Sequence, residues 1–167
     1  VESRILRKEF GEFSPDYAFN LHDQRTIFGV EAKAATLSLL APAFDAERSF
    51  NECRTKAAQL AASVFQGFQS SSIAAQIGRF DDQFNPNCVG DAFQSLGVPT
   101  LLIEAGHFQD DYHREQIRAF VFNAYVLALQ AIATSTFADA SIYHSIPENR
   151  KIFFDYLLRN VRYVDHG

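Results

Sequence analysis

"PTLLIEAGHF", residues 99–108, is the stretch on which the fold turns. It reads as an apolar strand, Pro99 to Glu104, that runs straight into a carboxylate and then His107. A carboxylate placed directly after "TLLI" is expensive to bury unpaired. A second stretch, "YAFNLHDQRTIFG" at residues 17–29, behaves the same way. Its strand-forming run Tyr17 to Leu21 ends in His22, Asp23, Gln24 and Arg25. Two strands that each deliver a chemically useful side chain at the C-terminal end read as two sides of one site.

The segments between and around them read mostly as helices. "ESRILRKEFGEF" spaces Ile5, Leu6, Glu9 and Phe10 for a helix over about residues 2 to 12, ended by Ser14-Pro15-Asp16. "ATLSLLAPA", residues 35–43, is ambiguous, and Pro42 favours a loop or strand end. Asp45 is a plausible N-cap for a helix over about 46 to 69, with Phe50, Cys53, Ala57, Leu60, Ala61, Val64, Phe65 and Phe68 on one stripe. Residues 77–93 are rich in Gly, Asn, Asp and Pro and read as a long loop. Asp110 or Asp111 starts a helix over about 113 to 133, and Pro147 starts a last one, "PENRKIFFDYLLRNV". Helices alternating with apolar strands imply an α/β fold, expected as a three-layer α/β/α arrangement on a mixed, partly parallel sheet in one domain, residues 1–167. Ligands of such sheets lie beyond the C-terminal strand ends. His22 and Glu104 both fall there.

Composition narrows the function. There are 15 Lys plus Arg against 20 Asp plus Glu, a net charge of -5, without basic blocks. That disfavours nucleic acid and anionic membrane as partners. No uninterrupted apolar run reaches the roughly 18 residues of a membrane span, and the opening "VESRILRKEF" is not a signal peptide. Cys53 and Cys88 do not make a disulfide framework, so a reducing, cytoplasmic setting is expected. The chain contains no Met, so residue 1 is not read as a natural start.

A neutral imidazole on a rigid strand is a good Zn2+ ligand, and a carboxylate not bound to metal can shuttle a proton between a water and a leaving group. Spacing supplies only half of such a site: there is no HxxE, HxH, HxxxH or CxxC. The plainer readings stand beside it. His22 could simply hydrogen-bond at a strand end, and Glu104 could pair with Arg25 or Arg79. His107 could cap the turn before the next helix, Asp81-Asp82 could be a solvated turn, and Cys88 an inert small residue.

"ESRILRKEFGEFSPDYAFNLHDQ" followed by "SLGVPTLLIEAGHFQDDYHRE" resembles the C-terminal half of the zinc carboxypeptidases, the carboxypeptidase A-like family, and most of all its bacterial members. The resemblance implies that His22 is a zinc ligand and Glu104 the general base. It implies that Gly78 to Phe93 is the mobile loop lining the specificity pocket, where Phe80 or Asp82 falls near the family's substrate-contacting Tyr and Asp91 near the pocket. Arg25 and Arg79 become candidates for substrate contact, and His107 for support of the site. The family's other two zinc ligands and its Asn-Arg carboxylate anchor lie upstream of what matches here. The expectation is therefore one incomplete Zn2+ site and an inactive isolated chain, with a peptide or amide small molecule as the substrate of the whole protein. An exposed sheet edge that invites self-association is also expected. The rival expectations are a non-catalytic α/β interaction domain without metal and, more remotely, a cysteine hydrolase using Cys88 with His22 or His107.

Overall fold

The computed structural model describes residues 2–164. Val1 and residues 165–167 lie outside the described residues. The chain forms α1 (Glu2–Phe13), β1 (Ala18–Asp23), β2 (Phe28–Val30), β3 (Lys33–Ala34), β4 (Leu37–Leu40) and α2 (Glu52–Gly67). It continues with β5 (Ile77–Arg79), α3 (Val89–Ser95), β6 (Thr100–Ala105), α4 (Glu115–Thr134), α5 (Ser141–Ser145) and β7 (Arg150–Lys151). The fold is α/β with a mixed sheet. A four-stranded sheet has the order β1-β6-β4-β5, with β1 parallel to β6, β6 antiparallel to β4 and β4 parallel to β5. A small antiparallel sheet, β3-β2-β7, stands beside it.

The core lies on one face of the large sheet. Leu37, Leu39, Leu101, Ile103 and Ile77 alternate out of the strands and pack against Ala57, Leu60, Ala61 and Val64 of α2 and Ala124, Ala128 and Ala131 of α4. The small side chains of the helices let them approach the sheet closely. Full burial of a residue such as Ile103 stabilises by about 1.5 to 3 kcal/mol.

Several local expectations change. Residues 37–40 are a fully buried interior strand, so Pro42 marks its end. The long helix starts at Glu52 rather than 46, because Asn51 accepts the Arg54 N–H at 2.8 Å and so supplies the N-cap. Asp45 is used one turn earlier, accepting the Ser49 N–H. The expected loop over 77–93 contains β5 and the seven residues of α3. Arg114, in a left-handed conformation, stands at the start of α4, and Asp111 accepts the Ile117 N–H there at 2.9 Å.

The expected last helix at Pro147 is absent. The Pro147 carbonyl accepts from Arg79 N–H, Asn149 N–H donates to Arg79 carbonyl, and β7 pairs with β2. Sheet pairing takes the backbone groups a helix would need. Beyond β7, residues 152–164 are exposed and without regular structure. Short helices without a surface to pack on are marginal in water.

Two peripheral features complete the architecture. α1 buries none of its residues and meets the body through Phe10, whose ring stacks on Phe93 at 4.3 Å. α4 is long and apolar enough, by length and composition, to cross a membrane; here it packs on α2, with Phe122, Val126 and Leu129 exposed.

Candidate functional site

Register decides what meets at the strand ends. His22 is the Cα partner of Glu104, Glu104 of Ser38, and Ser38 of Gly78. Register partners project to the same face, so these four residues form one row across all four strands. The row lies on the face opposite the apolar core. β1 is the edge strand, which leaves His22 exposed, whereas Glu104 sits in the interior at 7% exposure.

Glu104 is a perturbed carboxyl. Burial, and then the nearby Asp23 carboxylate, push its pKa up to about 7. Low-dielectric surroundings disfavour the charged form, and a second carboxylate adds to that penalty. A carboxyl with that affinity can hold or release a proton near neutrality, which suits it to general acid–base work.

The other end of the row is a polar network. Gly78 makes room for it: a Cβ there would lie 1.7 Å from Asn149 Oδ1. Asn149 Nδ2 donates to Ser38 Oγ at 2.6 Å, and Ser38 Oγ donates to Gln24 Oε1. Gln24 is itself 7% exposed. The strand ends are clasped by Arg114, whose guanidinium reaches the Asp23 carboxylate at 2.5 Å and the Gly106 carbonyl at 3.2 Å. Gly106 is required here, since a Cβ would stand 1.8 Å from the Ala35 carbonyl oxygen.

The remaining candidates are dispersed. Arg25 is exposed just beyond Gln24. Arg79 leaves the sheet on the core face: it pairs with Glu148 at 2.8 Å and lies over the Tyr143 ring, away from Glu104. Asp91, on α3, is nearly buried; burial raises its pKa, while its carboxylate accepts the Asn85 N–H. α3 lies on the Glu104 face, with Gly90 against Asn20 and Pro42. His107 is exposed, and its backbone N–H donates to the Ala35 carbonyl. It lines an open cavity of about 1130 Å³ with Lys33, Gln76, Phe108 and Phe153, a space that does not include Glu104. Phe80 packs on Phe28. Burial raises the pKa of Asp82, but its ion pairs with the fully buried Arg54 and with Arg48 outweigh this and hold it low. Cys88 is exposed at the start of α3.

A catalytic zinc takes about three protein ligands. Among the described residues, no three His, Cys, Asp or Glu side chains gather to hold a metal ion. His22 fits as one exposed imidazole donor beside a carboxyl; the described chain does not complete a zinc site by itself. Compared with protein-family models, curated proteins and solved structures, the chain gives no match.

Ser38, Asn149 and Arg114 were not singled out by sequence reasoning. Ser38 and Asn149 become visible only through register, and Arg114 only through the turn that carries it. Gln24 was visible as part of the polar cluster after Leu21, without a role.

Proposed function

We propose that the chain is the C-terminal portion of a zinc-dependent, carboxypeptidase-like hydrolase that cleaves a C-terminal peptide or related amide bond. The observation that carries this reading is the His22–Glu104 pairing: an exposed imidazole next to a buried carboxyl of pKa about 7, at the C-terminal ends of adjacent parallel strands. In this reading His22 is one zinc ligand, and the remaining ligands and the substrate anchor come from sequence upstream. Zinc, when bound, would acidify a water and polarise the scissile carbonyl. Glu104 takes the proton of the attacking water and delivers it to the leaving amine as the C–N bond breaks. Arg25, exposed in the segment after β1, is the candidate in this reading for contact with an anionic part of the substrate. Asp91 borders the same face from α3.

The test is zinc titration calorimetry on this chain and on an upstream-extended form, each with and without His22→Ala, followed by peptidase assays. The extended form binds zinc tightly, His22→Ala weakens it, and the 167-residue chain barely binds. Glu104→Gln keeps zinc but loses about 10²- to 10⁴-fold in kcat. An extended protein that binds no zinc, or binds it regardless of His22, sinks the reading and favours a non-catalytic interaction domain.

A further inference from the structure

We propose that residues 154–164, in the segment after β7, fold into an amphipathic helix on an anionic lipid surface and so anchor the protein there. The segment is tied to the body at its root. The Ile152 and Phe153 backbone N–H groups both donate to the Ile27 carbonyl, and both side chains pack against Gly29. Past that point the chain has no regular structure and holds large apolar side chains in solvent: Leu157 is 50% exposed, Val161 61% and Leu158 80%.

The sequence says what would order it. Phe154, Leu157, Leu158 and Val161 recur at the i, i+3, i+4 and i+7 spacing of one helix face. On a helix, these four and Val164 fall within about 120° of arc, with Arg159 and Arg162 on the other side. A helix this short is marginal in water and forms when an apolar surface receives its face.

Charge selects the surface. The chain's net charge of -5 is unevenly spread. From Arg150 to Val164 the exposed Arg150, Lys151, Arg159 and Arg162 stand against Asp155 alone. A basic amphipathic helix with Phe and Leu on one face lies in the boundary layer of an anionic bilayer. A second copy of the chain is a poorer match. The apolar stripe exposed on α4, Phe122, Val126 and Leu129, continues into Arg118 and Glu115, which pair with each other. The apolar groove between α1 and α3, lined by Leu6, Phe10, Val89 and Phe93, has Glu2 and Arg7 as its charged residues. Neither carries an excess of acid to receive the two arginines. A bilayer does, and such an anchor stands whether or not the protein cleaves an amide bond.

The experiment is flotation of the 167-residue chain with phosphatidylcholine vesicles, plain or containing one-quarter phosphatidylglycerol, alongside far-UV circular dichroism and sedimentation velocity. The parent floats with the anionic vesicles, stays behind with the neutral ones, and gains helix only when bound. Leu157→Asp together with Leu158→Asp abolishes flotation. Arg159→Gln together with Arg162→Gln weakens it about 25-fold, at about fivefold per charge. Phe122→Asp, on α4, leaves it unchanged. All these positions are exposed, so an unchanged melting temperature shows that the body of each variant is folded. No flotation with anionic vesicles, equal flotation with both kinds, or flotation that survives the paired Leu substitutions overturns the proposal. So does helix gained without lipid in a concentration-dependent dimer that the same pair dissolves, because the surface is then a second copy.

Discussion

The two faces of the large sheet are made by the same strands and do opposite things. On one, Leu39 and Ile103 are sealed against α2 and α4. On the other, their sequence neighbours Ser38 and Glu104 sit in a polar row with His22. One residue's step along β6 goes from a side chain whose burial stabilises the fold to one whose burial costs it. A strand can do this because successive side chains point to opposite faces. Much of the packing that holds the strand beneath Glu104 is therefore supplied from the face its side chain does not touch.

The sharpest way to break that comparison is a pair of neighbouring substitutions. Ile103→Ala should cost about 2–5 kcal/mol in urea unfolding, through lost transfer energy and a residual cavity. A loss under about 1 kcal/mol would mean the face is not close-packed. Glu104→Gln should move stability the other way. The folded-state pKa of Glu104 is raised from 4.5 to about 7, so the stability contributed by its proton is complete below about pH 4.5 and is lost as pH rises to about 7. The Gln variant should match the parent at pH 4 and exceed it by about 3 kcal/mol at pH 8. Equal stability at both pH values would show Glu104 to be solvated after all.

Ser38→Ala tests the polar row more gently. It strips the shared partner from both Gln24 and Asn149, and should cost about 1–2 kcal/mol at constant m-value. No loss would show that the amides find other partners. Phe10→Ala should have the smallest effect. α1 is held mainly by one stacked ring, worth about 0.5–1.5 kcal/mol, so the body's melting temperature should fall by only a few degrees.

The parts of the fold visible in the sequence were those with strong local patterning. β1, β6, α2 and α4 each carry a long periodic or apolar run, and the polar residues that end Tyr17–Leu21 and Thr100–Ile103 marked His22 and Glu104. What stayed hidden depends on distant partners. Leu37–Leu40 reads as a strand only once β6 and β5 are placed on either side of it. Asn149 looked helical after Pro147, but its backbone is claimed by Arg79. Ser38 and Asn149 acquire meaning only when register puts them across from Glu104 and Gly78.

The clasp at the strand ends has a consequence for how the protein comes into being. β1 is parallel to β6, and the chain emerging from synthesis must run through β2 to β5, α2 and α3 before β6 exists to pair with it. Until then, Tyr17–Leu21 waits as an apolar segment with no neighbour. Pairings of such long sequence separation form late and slowly. His22 and Glu104 thus cannot meet until every element from β2 to α3 has been made and the chain has returned to lay β6 against β1.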